Sequence, residues 1–179
     1  MLRFNLEKGL LLAIALFIFL QGLFTRPKAL DTIEYFAPPI EVKYLASGFA
    51  SQFSDGFWMR SVQDTSYCES QASENRCVGK SWFYNIINLT VTLDETFSEA
   101  YYYGALALTV LIKDIPGASI IFDKATAKFK YDWPILYLAA YHALFNERDY
   151  LKASKLYLRA ADNGAPAWVR LSAGKLAAN

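Results

Sequence analysis

Side chains that could carry acid–base chemistry are few in this 179-residue chain, and they lie far apart in sequence. His142 is the only histidine and falls within a predicted helix. This position favours a hydrogen-bonded packing residue or a groove residue over a general base. Asp55 lies near Trp58 and Arg60, and we expect it to be an internal acid that hydrogen-bonds between helices. An anchored hydrolase that uses Asp55 or His142 is the alternative.

Composition and motifs exclude several other classes of protein. The chain is 54% hydrophobic with 12 tyrosines and 13 phenylalanines, which excludes a disordered chain. The formal net charge is +1 and the basic residues are not clustered, so we expect no nucleic-acid partner. The sequence has no glycine-rich phosphate loop, metal-binding box or nucleophile elbow. We therefore predict a protein that is not an enzyme, without catalytic residues, cofactor, bound metal or small-molecule substrate.

The only two cysteines, Cys68 and Cys77, are separated by eight residues in the polar sequence CESQASENRC. We predict that they close a small loop as a disulfide, which would contribute about 2–3 kcal/mol in an oxidising compartment. Two unrelated free thiols are the alternative. A structural zinc site is not expected, because one histidine and two cysteines at this spacing do not supply its ligands.

An apolar segment near the N-terminus predicts a membrane anchor. Residues 9–24 read GLLLAIALFIFLQGLF and carry no charge. As a helix they would extend roughly 24 Å, enough for a bilayer when flanking residues snorkel. We predict an uncleaved signal anchor over residues 1–24, with a cleaved signal peptide or a buried core helix as alternatives. A short N-terminal tail normally stays in the cytoplasm, so we expect the C-terminal domain on the exported side.

The remaining sequence predicts an all-α domain on a linker. Residues 25–39 contain three prolines and predict a linker. Residues 40–62 predict a helix with one buried stripe, in which apolar side chains recur at every fourth position: Leu45, Phe49, Phe53 and Phe57. The polar segment 64–80 predicts an inserted loop. No stretch alternates with period two, so no sheet is expected. Further helices are expected over residues 82–92, 97–112, 118–128, 133–145, 150–161 and 166–177.

Three stretches of the chain resemble one another at a spacing of 35 residues. Each stretch contains three equivalent positions, the second four residues after the first and the third three residues after the second. The residues at these positions are mostly small, large and small, in that order. The equivalent residues are Phe83, Ala118 and Ala153, then Ile87, Phe122 and Tyr157, then Thr90, Ala125 and Ala160. This pattern is typical of stacked helical hairpins, because small residues let two helices approach while aromatic side chains fill holes in the neighbouring repeat.

The last of these hairpins resembles the tetratricopeptide repeat. Residues 146–166, NERDYLKASKLYLRAADNGAP, carry the signature residues of that family, with the proline one residue late: Asp149, Tyr150, Ala153, Tyr157, Ala160 and Pro166. The preceding repeat matches at Tyr101, Gly104, Ala105, Leu108, Ala118, Phe122 and Ala125. The first repeat matches least well, because Phe83 stands at a small-residue position. The resemblance covers residues 40–177 and implies an α-solenoid of antiparallel helix pairs, with about three pairs and a capping helix in the domain 40–179.

The order of segments also resembles a group of uncharacterised membrane-anchored repeat proteins of deltaproteobacteria. Three segments carry this resemblance: GFASQFSDGFWMRSVQ at 48–63, LDETFSEAYYYGAL at 93–106 and NGAPAWVRLSAGKLA at 163–177. The resemblance implies a bacterial envelope protein with no established activity. We therefore expect a single-pass protein of the bacterial inner membrane whose C-terminal domain lies in the periplasm.

Side chains on the first helices of the repeats predict a groove that binds a protein partner. The candidates are Tyr102, Leu106, Tyr137 and Tyr141, with His142 included by a shift of one residue in register. Aromatic residues are favoured anchors at interfaces, although packing between helices is the alternative for each of them. We predict a membrane-anchored scaffold or adaptor within an envelope complex. The alternative is an accessory subunit of a transport, secretion or motility machine, in which the transmembrane helix makes the main contacts.

Overall fold

The computed structural model describes residues 14–17, 37–63, 65 and 81–177. The chain divides into two compact units, Met1–Tyr35 and Phe36–Asn179. In the first unit, the described residues 14–17 are helical. The predicted anchor, linker and inserted loop otherwise fall almost entirely outside the described residues, and Cys68 and Cys77 lie outside them. Within the described ranges, no helix is long and apolar enough to cross a membrane.

The second unit is built from helices that follow one another with short connections. They are α1 (Val42–Leu45), α2 (Ala50–Gln63), α3 (Trp82–Leu93), α4 (Ser98–Ala107), α5 (Ile115–Lys128), α6 (Trp133–His142), α7 (Tyr150–Asp162) and α8 (Ala167–Ala177). One π-helical turn extends α4 over Leu108–Ile112, and another extends α6 over Ala143–Glu147. The described residues contain no strand, so the predicted all-α class is confirmed.

Consecutive helices pack as pairs. α2 packs on α3, α4 on α5 and α6 on α7, and α8 covers the far side of α7. α3 also contacts α4 and α5, and α5 contacts α6, so each pair rests on the next. Short turns join the helices from α3 onwards, and such turns make sequential neighbours run antiparallel. The first residues of α3, α6 and α7 are those that the sequence predicts: Trp82, Trp133 and Tyr150.

The nine equivalent positions of the 35-residue spacing are all buried. They form the inner faces of α3, α5 and α7, where each helix meets its partner and the next pair. Gly104 on α4 shows why small residues are required here. A Cβ atom at this position would stand 2.8 Å from Cγ2 of the buried Ile87 on α3. Only glycine therefore allows these two helices to approach as closely as they do.

The last two pairs also share their backbone geometry at the same spacing. The π turns that end α4 and α6 are each followed by a left-handed residue, Lys113 with φ of 61° and Arg148 with φ of 58°. An aspartate comes next in each case, and its side chain caps the following helix. The amides of Asp114 and Asp149 bond to the first carbonyl of their π turns, at 2.9 Å and 3.0 Å. The repeat therefore extends from side-chain pattern to backbone conformation.

The single helix predicted over residues 40–62 is wrong. The helical conformation is interrupted between α1 and α2, where Ser47 and Gly48 have φ values of 33° and 44°. The stripe predicted to be buried is largely exposed, with Leu45 81% and Phe49 66% accessible.

α2 buries a different face from the predicted one. Ser54 and Ser61, two turns apart, are fully buried. Ser54 Oγ donates a hydrogen bond to the Thr90 carbonyl of α3 at 3.0 Å. Serines allow α2 to approach α3 closely and still satisfy their hydroxyl groups, whereas phenylalanines at this contact would hold the helices apart.

Candidate functional site

An open groove of about 490 Å³ lies between α2, the start of α3, and α4 with its π turn. We call it the α2–α4 groove. Its lining consists of Trp58, Ser61, Val62, Thr65, Phe83, Tyr103, Leu106, Ala107, Val110 and Leu111. Phe83 is buried, whereas Val62, Tyr103, Val110 and Leu111 are exposed. The groove therefore combines a buried aromatic ring with large apolar side chains that remain in water.

The packing of α2 on α3 determines one wall of the groove. Since Ser54 and Ser61 face inward, Trp58 and Val62 come to lie beside the contact rather than within it. The Trp58 ring is held edge-on against Phe97, with 5.9 Å between ring centroids. Such an edge-to-face contact fixes the orientation of an aromatic side chain. The first wall is therefore preformed.

The π turn determines the other wall. Leu108 and Ile112 at its two ends are buried, while Val110 and Leu111 between them are exposed. A π turn contains more residues than an α turn, so the extra side chains are displaced from the packed face. Leu106 and Ala107 extend this wall along α4.

The lining of the groove is suited to hydrocarbon and not to charge. Its described lining residues carry no carboxylate, amine, guanidinium, imidazole or thiol group. The Ser61 hydroxyl donates to the Trp58 carbonyl at 2.7 Å, and the Thr65 hydroxyl donates to the Val62 carbonyl at 2.9 Å. Both hydroxyl hydrogens are thus engaged by backbone carbonyls of α2. Burial of an apolar surface by a ligand is the interaction that this lining offers.

Two of the predicted groove residues lie on or beside this groove. Leu106 is part of its lining. Tyr102 packs edge-on against Tyr103 with 4.9 Å between ring centroids, and it lines a separate depression of about 250 Å³ with Asp132 and Pro134 at the start of α6. Tyr102 therefore borders the groove without lining it.

The other two predicted tyrosines lie elsewhere. The Tyr137 ring packs between Tyr157 on α7 and Trp168 on α8, with centroids 5.5 Å from each. Tyr141 is exposed and its ring packs at a tilt of 41° on Phe145, with 4.4 Å between ring centroids. The structure therefore does not bring the predicted residues together into one surface.

The prediction that His142 lines an open groove is wrong, because only 2% of this residue is accessible. Its Nδ1 lies 3.0 Å from the Thr109 hydroxyl, and its Nε2 lies 3.0 Å from the Ser119 hydroxyl. The ring also packs on Phe122, with centroids 4.9 Å apart. Burial lowers the pKa of His142 below its ordinary value, although the Glu147 carboxylate opposes the shift. His142 is therefore a hydrogen-bonded packing residue that joins α4, α5 and α6.

A small ionic network lies next to His142. Lys152 Nζ is 2.9 Å from both Glu147 Oε2 and Asp123 Oδ1. Burial alone raises the pKa of Glu147, but hydrogen bonds from Ser119 and Lys152 outweigh burial and leave this pKa below its ordinary value. The network ties the π turn of α6 to α5 and α7.

The prediction for Asp55 is also wrong, because this side chain is exposed on α2 rather than internal. Sequence reasoning missed the residues that form most of the groove, including Trp58, Val62, Val110 and Leu111. A signal existed for the last two, since LTVLI at residues 108–112 is apolar on every face of a surface helix.

No protein-family model matches this chain, and neither a curated protein nor a solved structure shows significant similarity to it. The candidate site therefore depends on the geometry of this chain. Of the sites described above, the α2–α4 groove alone combines large exposed apolar side chains with preformed walls.

Proposed function

We propose that this protein is a membrane-anchored scaffold or adaptor that binds another protein as part of a bacterial envelope complex. The α2–α4 groove carries the proposal. A groove of about 490 Å³ without a charged side chain among its described lining residues favours an apolar ligand surface. Trp58 and Tyr103 supply aromatic anchors of the kind that dominate binding energy at protein interfaces.

The shape of the groove favours a helix as its occupant. Both walls are helical. Trp58 and Val62 are four residues apart on α2, and Leu106 on α4 is four residues from Val110 in the π turn that follows. A partner helix can therefore insert a stripe of apolar side chains at three- and four-residue spacing between them. We infer that the partner contributes an amphipathic or fully apolar helix.

Two further features support the wider proposal. The sequence resemblance to tetratricopeptide repeats, together with the caps repeated at Asp114 and Asp149, supports an α-solenoid of the kind that holds protein partners. The uncharged segment at residues 9–24 supports a single-pass anchor in the inner membrane, with the domain in the periplasm. A disulfide between Cys68 and Cys77 belongs to the same proposal, because it requires an oxidising compartment.

A charge placed in the groove should abolish partner binding. We expect intermolecular crosslinks from Lys113, next to the groove, in native membranes. We expect Val110→Asp to leave the fold intact, since Val110 is 58% exposed, and to remove those crosslinks. An aspartate there would have to be buried against hydrocarbon when the partner binds, and this costs several kcal/mol. Crosslinking with mass spectrometry on the full chain in its own membranes measures the result.

The repeat supplies a matched control for this variant. Phe145 lies 35 residues from Val110, at the same position of the equivalent π turn, and is 59% exposed. Phe145→Asp should keep the crosslinks of Lys113. The proposal fails if Val110→Asp retains them, or if both variants lose them equally.

A further inference from the structure

Leu45, Phe49 and Phe53, before and along α2, are exposed and Phe57 is half-buried, and none of the four lines the groove. We call Leu45, Phe49, Phe53 and Phe57 the phenylalanine stripe. The Phe53 amide bonds to the Phe49 carbonyl at 3.0 Å, so helical register begins at Phe49 and its three phenylalanines share one face of α2. The Phe53 and Phe57 rings stack at 6.5 Å. Leu45 lies four residues before Phe49, at the end of α1 and on the other side of the break at Ser47 and Gly48.

This surface is apolar, and the segment that carries it has no net charge. The described residues of 37–63 carry two acids, Glu41 and Asp55, and two bases, Lys43 and Arg60. Their charges sum to zero. An attraction to an anionic or a cationic surface is therefore not available, and the transfer of phenylalanine and leucine from water is the driving force that remains. Exposed aromatic and aliphatic side chains on one face of a short helix are typical of segments that lie in a membrane interface.

The chain outside the described residues indicates what covers the stripe. The uncharged segment GLLLAIALFIFLQGLF ends at Phe24, and 19 residues lie between Phe24 and Tyr44, which is itself largely exposed next to Leu45. A chain of that length spans at most roughly 70 Å. A bilayer that holds residues 9–24 is thus within reach of the stripe, and the tether raises the effective concentration of that surface so that a small apolar patch suffices.

We propose that the phenylalanine stripe inserts into the surface of the bilayer that holds residues 9–24. This inference rests on the anchoring part of the proposed function. The proposal also brings the α2–α4 groove close to the membrane surface, because Trp58 and Val62 are on the same helix as Phe53. At about 1.5 Å per residue, the groove wall lies roughly 7–14 Å from Phe53 along the axis of α2. The groove then faces the part of a partner that emerges from the same membrane.

The test uses the full chain, reconstituted in phosphatidylcholine vesicles, with the photoreactive residue p-benzoylphenylalanine in place of one aromatic side chain. The test positions are Phe49 and Phe53. The control position is Tyr131, which is 79% exposed and lies between α5 and α6. After illumination, mass spectrometry measures covalent adducts with lipid acyl chains. We expect severalfold more lipid adduct from Phe49 and Phe53 than from Tyr131, and no increase when anionic phosphatidylglycerol replaces part of the phosphatidylcholine.

Flotation of the same vesicles separates the two proposals. If the chain does not float with the vesicles, both the anchor and the inference are wrong. If the chain floats but Phe49 and Phe53 give no more lipid adduct than Tyr131, the inference alone is wrong. Adducts to a second copy of the chain in place of lipid also overturn it, since they show that the stripe is a protein interface. A strong dependence on phosphatidylglycerol would contradict the apolar driving force.

Discussion

His142 shows how a buried titratable side chain holds helices together. The Thr109 and Ser119 hydroxyls lie 3.0 Å from Nδ1 and Nε2 of the ring, and each hydroxyl also has a backbone carbonyl within hydrogen-bonding distance, Ala105 at 2.9 Å and Ile115 at 3.0 Å. Protonation would place a positive charge inside a buried site, which burial disfavours. Burial lowers the pKa of His142, so the ring stays neutral at neutral pH. The imidazole therefore stabilises the fold only while it is uncharged.

His142 should therefore contribute to the pH dependence of the stability of the domain. The pKa of His142 is lowered from 6.5 in the folded protein, so protons bind more tightly to the unfolded chain. Stability from this group is complete above pH 6.5 and is lost as pH falls from there through the folded pKa. We expect the free energy of unfolding to fall between pH 7.5 and 5.5 with a slope of at most about 1.4 kcal/mol per pH unit.

The comparison is with His142→Gln, measured by urea unfolding of the full chain in detergent micelles at both pH values. The glutamine variant should be less stable at pH 7.5, because it cannot reproduce both hydrogen bonds. Its stability should change less between the two pH values than that of the wild type. Equal pH dependence in both proteins would show that His142 does not titrate in this range.

At the scale of the element, two repeats have an aspartate cap at the equivalent position, and one of these aspartates is buried while the other is exposed. Asp114 caps α5 by accepting from the Gly117 amide at 2.9 Å, and it also accepts from the Ser81 hydroxyl at 3.1 Å. It is completely buried. Asp149 caps α7 in the same way, at 2.8 Å from the Lys152 amide, but it is exposed. The two positions make the same local contribution to a helix and differ in what surrounds them.

Replacement of the two caps should separate these contributions. Asp149→Ala removes a cap in water and should cost about 1 kcal/mol of unfolding free energy. Asp114→Ala also leaves the buried Gly117 amide and Ser81 hydroxyl without this acceptor, so it should cost about 1–3 kcal/mol more. Urea unfolding of the full chain in detergent measures both. Equal losses would mean that burial adds nothing to the cap.

At the scale of the whole molecule, stability should vary along the stack of helices. Each pair contacts its neighbours in sequence, so the C-terminal end depends on α8 alone for its cover. Val169 and Ala173 on α8 are buried against α7, and the Ser154 hydroxyl of α7 donates to the Ala173 carbonyl at 3.0 Å. Loss of α8 would uncover α7 and leave α3 unaffected.

A charge beneath α8 tests this independence. Val169→Asp buries an unpaired carboxylate, so we expect amide hydrogen exchange to accelerate in α7 and α8 and to remain unchanged in α3. Leu171→Asp on the exposed face of the same helix is the control and should leave every helix protected. Uniform loss of protection in the Val169→Asp protein would show instead that the domain unfolds as one cooperative unit.

Local chemistry in the sequence determined the all-α class, the start of α3, α6 and α7, and the burial of the nine repeat positions. A spacing of 35 residues can be read from side-chain type alone, and caps such as Asp149 and stops such as Gly164, with φ of 97°, act within a few residues. These features can be predicted without knowing which residues pack against them.

Tertiary structure decided which face of α2 is buried and where the open groove lies. The phenylalanine stripe has the period of a core helix, yet Ser54 and Ser61 pack on α3, because a contact this close accepts serine and not phenylalanine. His142 is buried for a similar reason, since Thr109 and Ser119 from two other helices complete its hydrogen bonds. Helical periodicity indicates that a face is apolar, but only the packed neighbours determine whether that face is covered.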